Sequence, residues 1–278
     1  MPPILKNLLK PWLTTLQDLE PVVRDLHSIE VFAGEHWITR KVNELGMQGL
    51  AFDVKLSPQH DIFTRQGFLE ILKGLVRVEK WGMCWGAPVC SSWGWIGRSS
   101  TGRCVSSPQG SLSNPTVWNM NIMVQLWVTL ALIAWYRFVF SVTEGPAGNN
   151  MIEYASPFKE FISCIVKKNF TIYLGSYCAL SLKPIQLWTD MPELETIKLE
   201  KPPKAFFKAD DSLASASSSG SGITGNKDNL QKSAGYPKAF GAAVAKTLQK
   251  IMKCREEYLK DTTKIKVCKP HLKNKKKL

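Results

Sequence analysis

A chain of 278 residues with 44% hydrophobic, 21% charged and 10% aromatic side chains is long enough to bury a large core and too apolar to be fibrous or wholly disordered. Its net charge of +13 is unevenly placed, because residues 246–278 alone carry 12 basic and 3 acidic side chains. That favours a basic C-terminal arm over a nucleic-acid-binding surface spread across the whole chain. In chain order, Leu5, Leu8, Leu9, Trp12, Leu13, Leu16 and Leu19 fall at helical spacing, which predicts a helix within 4–26 with Pro11 as a possible break. The apolar run Ile29–Phe32 then enters a turn at Gly34, a helix-like stretch follows over 36–46, and a strand-like run over 49–54 contains Asp53. Strand, tight turn, helix and strand make a βαβ unit. A helix is expected over 65–78, a third apolar run over 83–88, and a Gly-, Ser- and Arg-rich loop over 96–113. A long apolar helix over 115–137 leads into a strand over 138–146 that contains Glu144, and helix 156–168 and strands 170–178 and 185–190 continue the alternation. Such alternation predicts an α/β fold, Rossmann-like, with a mostly parallel doubly wound sheet and helices at both termini.

Residues 191–211 are rich in Pro and Lys and 212–222 are low in complexity, so 207–232 reads as a flexible segment. The expected organisation is an N-terminal helical segment over 1–27, the α/β domain over 28–206, the flexible segment over 207–232, a C-terminal helix over 233–260 and a basic tail over 261–278. The uncharged run 123–136 is shorter than a membrane span requires and is flanked by Arg137, which favours a buried crossover helix. Seven scattered cysteines and no apolar leader within 1–27 point to a reducing compartment, nucleus or cytoplasm. No cysteines or histidines show zinc-ligand spacing, so no metal is expected.

The stretch Glu30-Val31-Phe32-Ala33-Gly34, followed by Asp53, resembles the nucleotide-binding start of class I S-adenosylmethionine-dependent methyltransferases, and most closely that of the carbon-5 cytosine DNA methyltransferases. Further stretches match in order: His60-Asp61-Ile62, Gly86-Ala87-Pro88-Val89-Cys90, Thr143-Glu144-Gly145-Pro146, Lys183-Pro184-Ile185, and Tyr236-Pro237 with Phe240-Gly241. The resemblance implies that Phe32, Ala33, Gly34, Asp53, Asp61, Ala87 and Pro88 line an S-adenosylmethionine site, with Asp53 on the ribose and Asp61 on the adenine. It also implies that Cys90 is the nucleophile and Glu144 the carboxylate holding a cytosine-type base. Trp93 could stack a flipped base, while Arg98 and Arg103, with Lys275, Lys276 and Lys277 of the tail, could contact phosphates. The chain departs from the family at Glu35, His36 and Trp37, which replace further glycines, at Val89, which separates Pro88 from Cys90, and at Gly145, which replaces an asparagine. Two functions are therefore weighed: a methyltransferase acting on nucleic acid, or a catalytically degenerate methyltransferase fold that binds nucleic acid or protein. A membrane protein built on 121–140 is a distant third. Oligomeric state is unreadable.

Overall fold

The computed structural model describes residues 1–18, 23–89, 92–93, 98–147, 151–179, 182–201, 215–216, 223–224 and 235–260. Strands β1 (Leu26–Val31), β2 (Gly49–Phe52), β3 (Val78–Gly86), β4 (Phe140–Pro146), β5 (Lys168–Tyr173) and β6 (Pro184–Thr189) form one sheet in the order β2-β1-β3-β4-β6-β5. The first four run parallel, and β6 runs antiparallel to both β4 and β5. This is the α/β, mostly parallel sheet expected from the alternation of apolar runs and helical stretches.

Helices cover both faces. On one lie α1 (Pro3–Asp18), α3 (Arg65–Val76), α5 (Pro115–Tyr136) and α6 (Phe158–Cys164), packed around Ile29, Cys84, Trp127 and Trp188. On the other lie α2 (Trp37–Glu44) and the C-terminal helix, α7 (Lys238–Lys260), packed around Met83, Trp85, Val142 and Phe240. Between β3 and α5 stands the short α4 (Arg98–Thr101). Helix α5 is apolar around its whole circumference and is accordingly a core helix, with Val124, Trp127, Val128 and Leu130 through Ala134 buried. It starts where Asn114 accepts hydrogen bonds from the backbone N–H groups of Thr116 and Val117, with Pro115 at the first helical position.

Several boundaries differ from those expected. Helix α1 runs through Pro11, held by the burial of Leu5, Leu9 and Leu16 despite the missing backbone donor. Strand β3 starts five residues early, at Val78 rather than at 83, because the charged Glu79-Lys80 hides a strand whose first residue pairs with Leu26. Helix α6 stops at Cys164 and β5 at Tyr173, since Lys168–Tyr173 pairs along its whole length with β6. Within the low-complexity segment, Ser215–Ala216 and Ile223–Thr224 form a two-residue antiparallel ladder.

The register decides where function can sit. Val31 is level with Phe52 and with Gly86, and Gly86 with Thr143, so β1 to β4 leave the sheet together at one edge. The chain passes from β1 outward to β2 and then returns to the other side of β1 as β3. The crevice between the carboxyl ends of β1 and β3 is thus a topological switch point, the usual ligand position in open α/β sheets.

Candidate functional site at the carboxyl edge

The turn after β1 alternates into left-handed backbone, at Phe32 (φ 59°), Gly34 (φ 52°) and His36 (φ 45°). Glycine adopts this conformation without strain, whereas Phe32 and His36 adopt it at a cost in backbone energy. Asp53, one residue past the end of β2, ties the turn down: its Oδ2 accepts the Gly34 N–H at 2.9 Å and its Oδ1 the Lys55 N–H at 2.8 Å. Each oxygen keeps a further lone pair. No heavy atom lies within 4 Å of where a Cβ on Gly34 would stand, so the floor of the crevice is open there. Ala33 is buried and its N–H donates to the Phe52 carbonyl. The Phe32 ring packs edge-on to Trp127 at 6.4 Å.

Asp61 belongs to the turn that launches α3. Its Oδ1 accepts the Phe63 N–H at 3.0 Å, and its carbonyl accepts from Thr64, the N-cap residue of that helix. Neighbouring His60 packs its ring edge-on to Phe52 and takes the Asp53 N–H on Nδ1. At the end of β3 the Ala87 N–H bonds to the Val31 carbonyl, Pro88 is buried, and Val89 is exposed. Cys90 lies outside the described residues, as do Lys275, Lys276 and Lys277. Buried Cys84 has its thiol pushed far up by desolvation and is inert as a nucleophile.

Glu144 stands at the end of β4, partly exposed. Burial raises its carboxyl above the ordinary value, while the Lys183 charge and a hydrogen bond from the Tyr236 hydroxyl pull it back. Lys183 reaches the same edge because β6 is reversed and pairs Leu187 with Glu144, which brings the segment before β6 alongside. Tyr236 comes from the segment leading into α7 and also receives the Trp85 Nε1–H at 3.3 Å.

Trp93 and Arg103, expected to face a base and a phosphate, are each only 1% exposed. The Arg103 guanidinium stacks 3.4 Å over the Trp93 ring and donates to Pro108 O, Asn121 Oδ1, Ser92 Oγ and Val117 O, so its donors are engaged inside the protein. Together they form an internal strut rather than a contact surface. Arg98, at the start of α4, is half-buried.

No protein-family model matches the chain, and no curated protein matches it. Chemistry must therefore be argued from the edge itself. Two acidic groups, Asp53 and Glu144, lie at the ends of strands of one sheet, with an open glycine turn beside the first and a tyrosine on the second. Among the described residues no group of three His, Cys, Asp or Glu side chains is placed to hold a metal ion.

Sequence reasoning passed over Glu30. This β1 residue is 1% exposed, its Oε2 accepts both the Thr39 N–H at 2.8 Å and the Thr39 hydroxyl at 2.7 Å, and its Oε1 has no partner. Burial pushes its carboxyl up to about 7, against the pull of those hydrogen bonds, and the Asp53 charge adds to the rise. The available signal was a lone acid inside an otherwise apolar strand.

Proposed function

We propose that this chain is an S-adenosylmethionine-dependent methyltransferase acting on nucleic acid, with a cytosine-type base as its target. The observation that carries this is the Gly34–Asp53 closure at the switch point, with open space above Gly34 and lone pairs free on Asp53. A nucleoside with vicinal hydroxyls fits that pair: the hydroxyls donate to Asp53 while the ligand lies against the backbone of Phe32, Ala33 and Gly34. Exposed Val54, Leu56 and Phe63, on the loop that follows β2, supply apolar surface for a flat purine, and Asp61 in that loop keeps oxygen capacity for its amino group. Ala87 and Pro88 border the crevice from β3. The bound cofactor would supply an electrophilic methyl group.

In this reading Glu144 accepts a hydrogen bond from the target base and stabilises the charge that develops on its ring. Cys90, just beyond β3, would add through its thiolate to the ring, and that bond would break again once the methyl group is transferred and the ring proton lost. The test is isothermal titration with S-adenosylmethionine, followed by methyl transfer to cytosine-containing oligonucleotides. Wild-type protein should bind the cofactor, and Asp53→Ala should lose about 1.5–3 kcal/mol for each hydrogen bond removed. Absence of wild-type binding at millimolar cofactor would sink the proposal.

One observation favours a second reading, a methyltransferase-like fold that binds nucleic acid without catalysis. Glu35 replaces a glycine and its Cγ lies 3.0 Å from where a Cβ on Gly235 would stand, so the segment leading into α7 packs on the turn and narrows the crevice. Under that reading the titration shows no heat with cofactor, yet oligonucleotide is still bound.

A further inference from the structure

We propose that Tyr236 is the positioning residue for Glu144, its hydroxyl oriented by Trp85 so that its proton points at the carboxylate. The consequence for turnover rests on the methyltransferase reading; the geometry does not. In the related family an asparagine follows the glutamate, but here the following residue is Gly145, which has no side chain to steady it. The support arrives instead from a segment far along the chain. Trp85 and Tyr236 are 151 residues apart in sequence, yet the indole Nε1 and the phenol oxygen are 3.3 Å apart.

The direction of the chain of hydrogen bonds follows from the chemistry of its members. An indole N–H can only donate, so the Tyr236 oxygen is the acceptor in the bond to Trp85. The hydroxyl proton is then left for the Glu144 carboxylate, to which Tyr236 is hydrogen-bonded. The ring that carries this hydroxyl is itself held on two sides, edge-on to Trp85 with centroids 5.9 Å apart and against Phe240 at 5.1 Å. Phe240 is fully buried in the first turn of α7, next to Trp85 and Tyr177. Tyr236 is thus fixed by the docking of α7 on the sheet, and Glu144 is fixed by Tyr236.

The charged groups around the pair are few. Lys183 faces Glu144 from the segment before β6, and Glu30 on β1 acts on Tyr236 from beside Trp85. Burial and the two carboxylates keep the phenol protonated far above neutral pH, so it serves as a donor throughout the working range. A donated hydrogen bond favours the ionised carboxylate, so its removal raises the Glu144 pKa.

Tyr236→Phe removes the hydroxyl and keeps the ring contacts. In a carboxyl-carbon NMR titration, with the Glu144 signal identified by its absence from Glu144→Gln, Tyr236→Phe should move the Glu144 midpoint up by about one unit. If the wild type transfers methyl groups to a cytosine-containing oligonucleotide, Tyr236→Phe should also lower kcat about tenfold, leave the cofactor Kd within threefold, and shift the acid limb of the pH–rate profile by the same unit. An unmoved Glu144 midpoint overturns the proposal, whether or not the wild type is active. An inactive wild type with a shifted midpoint overturns only the enzymatic reading. Should Tyr236→Phe fail to fold, Glu144→Gln supplies the reciprocal test, since loss of the facing charge should let Tyr236 ionise at lower pH than in the wild type. An unchanged tyrosine titration in that variant means that the two groups do not interact, and it likewise overturns the proposal.

Discussion

Glu30 holds its proton in the folded chain up to about pH 7, whereas in the unfolded chain it releases it near the ordinary value of 4.5. Between those values the native state binds a proton that the unfolded state does not, so stability falls as pH rises through this window and levels off above it. A shift of that size corresponds to at most about 3 kcal/mol from this one group. Urea midpoints at pH 5 and pH 8 should differ accordingly, and Glu30→Gln should flatten the difference; equal slopes in the two proteins would show that Glu30 ionises freely. Two glycines make contrasting forecasts. A Cβ at Gly86 would lie 2.3 Å from the Trp127 indole, which is pinned by its hydrogen bond to Thr143, so Gly86→Ala should cost about 1–3 kcal/mol through overpacking. Gly34→Ala meets no atom within 4 Å and should cost only the left-handed backbone penalty, about 1–2 kcal/mol. Its larger effect is expected on ligand binding, because the added methyl group occupies the open floor. Chemical denaturation and cofactor titration of the two variants separate these effects.

At the scale of elements, Arg103 does for the loop after β3 what a hydrogen-bonded strand would otherwise do. It joins Ser92 and Trp93, Pro108, and the first turns of α5 at Val117 and Asn121. Burial lowers its pKa only to about 10, so it remains a cation at neutral pH, satisfied by neutral acceptors and an aromatic face. Arg103→Ala should destabilise by about 2–4 kcal/mol and speed proteolysis within 98–114 by more than tenfold, and Arg103→Lys should not rescue it because an ammonium cannot fork or stack in the same way. A cleavage rate unchanged from wild type would show that the loop is held by other contacts. From sequence this residue could only be read as exposed, since Gly- and Ser-rich composition reports local flexibility and says nothing of acceptors supplied from 14 and 18 positions away. The order of strands and helices was legible for the opposite reason: apolar periodicity and glycine turns are local signals. The Gly34–Asp53 pairing was legible too, because one βαβ unit places a strand-end glycine beside the acid of the next strand. The tie between Trp85, Tyr236 and Glu144 was not, since it depends on where α7 docks. Glu30 escaped notice because an acid in a strand resembles a surface residue until both faces of the sheet are covered.

For the whole molecule, the distribution of charge separates two ways of meeting a polyanion. Residues 1–245 carry 24 basic and 20 acidic side chains, close to balance, while the remaining 33 hold most of the excess. At the carboxyl edge itself the body offers a small basic group around Trp37, with Arg40 and Lys238 each 4.6 Å from its ring centroid and Lys41 at 6.0 Å. Arg40 and Lys238 are exposed, and their residues belong to the helices that flank the candidate site. If nucleic acid is the substrate, the tail should supply reach and affinity, and the edge should supply the contacts that matter for placement. Deleting 264–278 removes seven lysines. The slope of log affinity against log salt for an oligonucleotide should then fall by about 0.9 for each phosphate that the tail had neutralised, while S-adenosylmethionine binding stays unchanged. A residual slope equivalent to about one to three neutralised phosphates should persist in the truncated chain and drop further in Arg40→Gln and Lys238→Gln. Two results would count against this division. An unchanged slope would remove the tail from the interface, and a slope reduced to zero would leave the body without a nucleic-acid contact of its own, so that a base could not be held at Glu144 by this chain alone.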